Sequence, residues 1–528
     1  MRDFHLPGRS AVFATNAMCA TSHPLATQTA IDILKAGGNA VDAAIAAAVL
    51  LGLCEPQMTG IGGDCFALVD APGQDGIIAL NGSGRAPKGL SAARLRAAGH
   101  QTIPLRSVDA VTVPGAVDAF CLLSQDWGRL PLSQVLAPAI HYAEEGVPVA
   151  PRTAWDWAIA HQEGVLTGCA KDFYLHHGNP PRPGDVFRAP SQASVLKQIA
   201  AHGRAGFYEG EVADDLVTSL QALGGTHQLD DFAGPHAFYM TPISGSYNGI
   251  ELVEHPPNGQ GATAILMANI LSHFDISSFD PFGAERVHIE AEAAKLAYDT
   301  RNRFIADPDA ASRLDHMMSK TTAAQLAGLI NPTRALPSPA VVSEAVHKDT
   351  VYLTVVDSDR MSVSLIYSIF HAFGSGLASD RFGILFQNRG AGFSLAAGHP
   401  NEAAGGKRPM HTIIPGMLCD GGKVVMPFGV MGGAYQPNGH VRLLSNMVDF
   451  GLNAQSAIDA PRSFFDKGML NLERGYATAV RSQLEHIGHK TAIPEQPIGG
   501  AQAIRIDHDR GVLEGASDAR KDGCAIGF

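Results

Sequence analysis

Paired cysteines, surplus positive charge and a membrane-length apolar run are all missing from this chain, and each absence removes a class of protein. The seven cysteines (Cys19, Cys54, Cys65, Cys121, Cys169, Cys419, Cys524) are odd in number and widely spaced, with no Cys-x-x-Cys among them. That argues against a disulfide framework and against a zinc site. Lys and Arg number 39 against 51 Asp and Glu, a net charge of −12. A phosphate backbone would meet an acidic surface, so nucleic acid is not an expected partner. The apolar stretch from Ala43 to Leu53 is too short to cross a bilayer and reads as a buried helix. Met1-Arg-Asp-Phe-His-Leu-Pro-Gly-Arg has no apolar core of the signal-peptide kind, which sets the expectation of a cytoplasmic protein with no membrane partner and an internal metabolic substrate. Internal repeats, low-complexity tracts and a Gly-x-Ser-x-Gly elbow are absent as well.

What is present reads as a globular enzyme. Hydrophobic residues make up 45% and charged residues 17%, and 528 residues call for two or more domains or one large interlocked core. Leu25, Ala26, Ala30, Ile33 and Leu34 share one helical face that stops at Gly37, and Asn39 can cap the helix that follows. Gly60-Ile-Gly-Gly-Asp-Cys is not a dinucleotide fingerprint, because Cys65 takes the third glycine's place and a strand follows. The strand from Ile77 ends in a turn presenting Ser83 and Arg85, and a turn arginine is usually just solvated. Thr153 to Ala233 reads as mostly helical, and Ser244 to Val253 alternates like a strand. Ile289 to Ile305 is a long amphipathic helix whose Glu290, Glu292, Lys295, Asp299 and Arg303 suit helix-stabilising pairs. The adjacent His176 and His177 cannot turn one helical face to a metal and read as surface residues. Past residue 350 strands dominate (Gly383 to Gln387, Thr412 to Leu418, Lys423 to Gly429), followed by helices over 439–450 and 454–460. The sum is an α+β chain with two sheets between helix layers.

The centre of the pattern is Asp349 to Gly376. Two β-branched and aromatic runs, Val351 to Val356 and Ser362 to Ile369, flank Asp357-Ser358-Asp359-Arg360, which predicts a hairpin. If its loop is Ser358 to Arg360, Asp357 pairs with Met361 and Thr350 lies opposite Ser368. A loop one residue longer or shorter moves every partner by one. Ahead of Thr350 the proline-rich Asn331 to Lys348 reads as a mobile connector. A cut between Asp349 and Thr350 would leave a threonine whose own α-amine could serve as the base for its hydroxyl. The plainer alternative is a loop followed by a strand that happens to begin with Thr.

The run from Thr350 through Phe373-Gly-Ser-Gly resembles the start of the small subunit in the γ-glutamyltransferase family of N-terminal nucleophile hydrolases. Lys407-Arg-Pro and Gly429-Val-Met-Gly-Gly resemble two later blocks. Gly37-Gly-Asn-Ala-Val-Asp-Ala-Ala, Gly60-Ile-Gly-Gly and Val113-Pro-Gly resemble large-subunit blocks in the same order. The resemblance runs from about His23 to Arg462. It implies a four-layer αββα sandwich, and a precursor split into a large subunit of residues 1–349 and a small one of residues 350–528, assembled as a heterodimer or a pair of heterodimers. By the same resemblance Thr350 is the nucleophile, Ser368 the second hydroxyl beside it, and Gly432 and Gly433 the oxyanion-hole glycines. No metal or organic cofactor is called for.

The acyl pocket departs from the family pattern. The arginine that grips an α-carboxylate is replaced at its aligned position by Ser83, with Arg85 two residues on. Phe370 replaces an Asn, Arg389 and Gly392 replace the acidic or amide residues that hold an α-ammonium, and His411-Thr412 replace a Ser-Ser pair. An arginine there repels an amine and accepts a carboxylate. Arg85, Arg389, His411, Thr412 and Phe370 are therefore the expected substrate contacts, and the expected substrate is a small carboxylated amide without an α-amino group. These replacements resemble the branch containing oxamate amidohydrolase and the glutaryl acylases. Two alternatives stand beside it: a γ-glutamyltransferase or glutathione hydrolase using Arg85 in a shifted role, and an unprocessed, non-catalytic paralogue.

Overall fold

The computed structural model describes residues 8–337 and 350–528. Two antiparallel seven-stranded sheets form its centre. One runs from edge to edge as Cys524–Gly527, Met18–Thr21, Val351–Val356, Ser362–Ser368, Asp64–Asp70, Ile78–Gly82 and Phe238–Met240. The other runs Val12–Ala14, Val512–Ser517, Gly500–Asp507, Lys423–Met431, Gly416–Asp420, Ile250–Glu254 and Ile243–Tyr247. Both sheets combine strands from before and after residue 350, so neither part of the chain could complete a sheet alone.

Strand parity sorts the core into layers, because successive side chains point to opposite faces. Val351, Leu353 and Val355, with Val363, Leu365 and Tyr367, pack against the helices Pro24–Lys35 and Ala40–Cys54. Their even-numbered neighbours Tyr352 and Ile366 face the other sheet and, with Phe66 of their own sheet, pack against Met431 of that sheet and Ile413. Beyond that second sheet, Phe428 and Val430 pack on the helices Gly261–Leu271, Ala284–Phe304 and Gln436–Val448. The result is the helix–sheet–sheet–helix sandwich of the N-terminal nucleophile hydrolases, the expected four-layer αββα class. Helix Ala40–Cys54 is capped as expected: Asn39 accepts from the N–H groups of Val41 and Asp42, and Asp42 returns a bond to the Asn39 N–H.

Several expected elements differ. Ser244 to Val253 is two strands, Ile243–Tyr247 and Ile250–Glu254, joined at Asn248-Gly249, both in the left-handed region (φ +47° and +90°). An Asn-Gly pair between alternating runs is the tight-hairpin signature, so the sign was in the sequence. Gly383 to Gln387 is a loop with a single bridge, Leu385 to Ala378. The strand expected from Thr412 begins only at Gly416, just past Pro415. The charges on helix Ala284–Phe304 reach beyond their own helix. Glu290, which accepts from Arg286 Nε at 2.8 Å, is also paired with Arg442, and Glu292 holds Lys295 Nζ at 2.7 Å and the Leu336 N–H at 2.8 Å. Asp299 and Arg303 form a surface pair at 2.9 Å. Among the described residues no helix is long and apolar enough to cross a membrane.

Candidate active site

The hairpin has the register that puts Thr350 opposite Ser368: Val351 faces Tyr367, and each later pair follows to Val356 and Ser362. Thr350 Oγ1 donates to Ser368 Oγ at 3.3 Å, and both residues are buried. The next strand adds a third member, since Ser368 pairs with Asp64. All three carry even numbers and lie on the side that faces the other sheet. Ser368 Oγ also accepts the Phe370 N–H at 2.8 Å and an Arg389 Nη2–H at 3.3 Å. Asp349, the other half of the expected cleavage site, lies outside the described residues.

The facing sheet delivers Gly432 and Gly433 at the end of strand Lys423–Met431. Their φ values, +116° and +55°, are ones that L side chains rarely adopt, and a Cβ on Gly432 would come within 3.0 Å of Gly499 Cα. The Gly432 carbonyl accepts from the Tyr435 N–H, and the Gly433 carbonyl accepts from Gln260 Nε2 at 2.8 Å. Gln260 Nε2 also donates to the Thr412 carbonyl, and its Oε1 accepts from Arg301 Nη1 at 2.7 Å. One buried amide therefore ties the glycine turn to the segment carrying Thr412.

Arg389 is fully buried. Its Nη1 donates to Thr412 Oγ1 at 2.9 Å, its Nη2 to Ser368 Oγ, and its guanidinium lies over the Phe370 ring. Nε has no partner among the described residues, nor is any carboxylate there within ion-pairing distance. Burial pulls the guanidinium down to about 9, against the opposing field of Asp64. A buried, still cationic group with donors to spare is a seat for an anion.

Asp64 supplies that field from behind. Its Oδ1 accepts the Gly84 N–H at 2.9 Å, the Gly115 N–H at 3.3 Å and Gln387 Nε2 at 2.9 Å, and its Oδ2 accepts His411 Nε2–H at 3.0 Å. Burial raises the carboxyl to about 6, against the pull of Arg389 and these N–H groups. His411 is driven well below its ordinary value by burial, then by Arg389 and His255, so it is a neutral imidazole. Its Nδ1 accepts the Ile413 N–H at 3.4 Å, which leaves Nε2 as the protonated nitrogen.

Of the residues expected from sequence, Thr350, Ser368, Phe370, Arg389 and Thr412 converge, with Gly432 and Gly433 on the facing sheet. His411 stands one contact behind, both ring nitrogens taken by protein. Arg85 is turned elsewhere: its Nη1 donates to the Gly406 carbonyl at 2.8 Å and lies 3.9 Å from Asp307, while Ser83 Oγ donates to Asn81 Oδ1 at 2.7 Å. Asp64 and Gln260 escaped the sequence reading. A carboxylate opening an otherwise apolar strand was the available sign for Asp64, since a buried charge needs a reason. Away from this centre, His288, Glu292 and His489 form the one group among the described residues with metal-holding geometry. Lys295 Nζ already neutralises Glu292 and the two imidazoles bond each other at 2.8 Å, while His489 Nδ1 has no partner among the described residues.

A family model described as gamma-glutamyltranspeptidase matches residues 26–528. The chain belongs to that family. This γ-glutamyltranspeptidase family member is 35% identical to the glutathione hydrolase-like YwrD proenzyme of Bacillus subtilis, over 98% of this chain and 99% of the relative. It is 34% identical to the oxamate amidohydrolase proenzyme of Klebsiella pneumoniae, again over 98% and 99%. Among solved structures, a cephalosporin acylase from Bacillus halodurans superposes with a TM-score of 0.93 at 39% identity, covering 100% of this chain and 99% of that one.

Proposed function

We propose that this protein is a self-processing amidohydrolase that cleaves the amide of a small carboxylic acid lacking an α-amino group, with oxamate as the best single substrate. The observation that carries the reading is the position of Arg389. It and Thr350 bond the same Ser368 oxygen, so Arg389 Nη2 and Thr350 Oγ1 are at most twice 3.3 Å apart. An attack distance of about 3 Å and an N–H···O contact of about 3 Å leave room for a two-carbon acid but not for an extended five-carbon one. The names of two full-length relatives, an oxamate amidohydrolase and a cephalosporin acylase, both fit an amide-cleaving site.

In this reading the Asp349–Thr350 bond is cut to give chains of residues 1–349 and 350–528. The freed α-amine of Thr350, with an ordinary value of about 8, takes the hydroxyl proton as Oγ1 attacks the amide carbonyl. Ser368 holds that hydroxyl in line. The oxyanion goes to the Gly432–Gly433 turn. The protonated amine then hands its proton to departing ammonia, and water attacks the acyl ester on Thr350 to release the acid. Arg389 and Thr412 grip the substrate carboxylate with Phe370 behind the guanidinium, and His411 acts only through Asp64. Arg85 has no substrate role here, which weakens the γ-glutamyl alternative that needs it. Neither metal nor organic cofactor enters any step. Ammonia release from oxamate, run beside p-nitroaniline release from γ-glutamyl-p-nitroanilide, tests the reading. Turnover of the γ-glutamyl substrate alone would overturn it.

A further inference from the structure

We propose that Asp64 is the positioning residue that aims the Arg389–Thr412 clamp at the acyl group, an assignment that rests on reading Arg389 as the carboxylate seat. Asp64 grips neither clamp member directly. It accepts from Gln387, two residues before Arg389, and from His411, the residue before Thr412. The 2.9 Å bond between Arg389 and Thr412 thus spans two segments that this carboxylate joins on one side, while Asn401 joins them farther out, donating to the Gly392 carbonyl at 2.7 Å and accepting the Met410 N–H at 2.9 Å. The same carboxylate takes the backbone N–H groups of Gly84 and Gly115. It is itself fixed by the strand register, directly opposite Ser368. Thr350, Ser368 and Asp64 form one row across three neighbouring strands, so the residue that aims the clamp is built on the same rigid element as the nucleophile.

Two substitutions separate aim from charge. Asp64→Ala leaves four N–H donors without that acceptor and loosens the ends of both segments nearest Arg389 and Thr412, though Asn401 still joins them farther out. Asp64→Asn keeps a carbonyl for Gly84, Gly115 and Gln387, and its amide can donate to His411 in the other tautomer at the loss of only the long 3.4 Å Ile413 N–H bond to Nδ1, so the aim survives while the negative charge beside Arg389 is lost. The probe is oxalate, a two-carbon dicarboxylate, titrated calorimetrically so that binding is read whatever the turnover. Asp64→Ala is expected to weaken oxalate at least tenfold, and Asp64→Asn to bind it at least as tightly as wild type. Arg389→Met should weaken it as much as Asp64→Ala, with the double variant no weaker than Arg389→Met alone, because Asp64 acts through Arg389. Wild-type affinity in Asp64→Ala, additive losses in the double variant, or an Asp64→Asn loss equal to that of Asp64→Ala would each overturn the proposal. Unchanged oxalate binding in Arg389→Met would instead remove the carboxylate seat on which it rests.

Discussion

The Arg389 guanidinium carbon lies 4.0 Å from the centroid of the Phe370 ring, and Phe370 holds that place with a backbone φ of +82°. An aromatic residue in the left-handed region costs on the order of 1 kcal/mol, a strain tolerated where neighbouring contacts enforce it. Here the Phe370 N–H is spent on Ser368 Oγ and its ring carries the guanidinium. A desolvated cation–π contact contributes about 0.5–2 kcal/mol. Phe370→Leu keeps the bulk and loses the ring face, so the KM for oxamate is expected to rise roughly three- to thirtyfold with little change in kcat. Steady-state kinetics check this, and a fall in kcat at constant KM would mean that the ring serves the nucleophile instead.

Thr350 carries the sharpest consequence. With the nucleophile assigned to it, Thr350→Ala is expected to stay one chain of 528 residues and to show no turnover. Thr350→Ser keeps an hydroxyl and should be slowed in both splitting and turnover rather than stopped. Intact mass under denaturing conditions reads the first effect and ammonia release the second. An unsplit Thr350→Ala protein with wild-type turnover would remove the assignment altogether.

Much of this arrangement was legible before any coordinates. The Thr350–Ser368 pairing follows from counting across the four polar residues Asp357 to Arg360, because period-two alternation leaves a hairpin little freedom once its loop length is set. The two sheets between helix layers follow from the alternation of strand-like and helix-like segments along the chain, and the four-layer order was what the family resemblance implied. What stayed hidden depends on contacts distant in sequence. Arg85 looked like a pocket residue because it stands near an aligned position, yet its direction is set by Gly406 and Asp307, hundreds of residues away. His411 looked like a substrate contact because Asp64 was not known to face it. Glu290 and Glu292 read as members of helix-stabilising pairs, which they form with Arg286 and Lys295, but nothing local shows that Arg442 and the Leu336 backbone reach them as well.

Gln260 is a second test of how the two walls are tied. Its amide donates to the Thr412 and Gly433 carbonyls and accepts from Arg301, so it fixes the spacing between the clamp and the glycine turn. Gln260→Leu is nearly the same size but takes one bond each from the Thr412 carbonyl, from the Gly433 carbonyl, which keeps the Gln436 N–H, and from Arg301, which keeps Asn302; a buried group left unsatisfied costs roughly 1–3 kcal/mol. The expected result is a loss of kcat of tenfold or more, since a misplaced oxyanion turn acts mainly in the transition state. Gln260→Glu, which restores an acceptor for Arg301 but offers no donor to the carbonyls, should not recover it. Recovery by Gln260→Glu would show that the Arg301 contact alone matters.

Acid stability gives a prediction outside the site. Glu55 caps the C-terminal end of helix Ala40–Cys54, takes a hydrogen bond from Ser22 and is almost fully buried. Burial raises it to about 7, with Asp522 and Asp156 adding to the shift and Lys521 and Ser22 opposing it. The negative end of the helix dipole also disfavours the carboxylate. Because the folded value is the higher one, the protonated form is favoured on folding. Its contribution is fully present below the ordinary value of 4.5 and is lost as pH rises through about 7. Moving from pH 8 to pH 6 should therefore favour the wild-type fold by about 1 kcal/mol more than it favours a Glu55→Gln variant, which cannot titrate there. Thermal unfolding of both proteins at the two pH values measures this as a larger upward Tm shift in wild type, and parallel shifts would mean that Glu55 stays charged across the range.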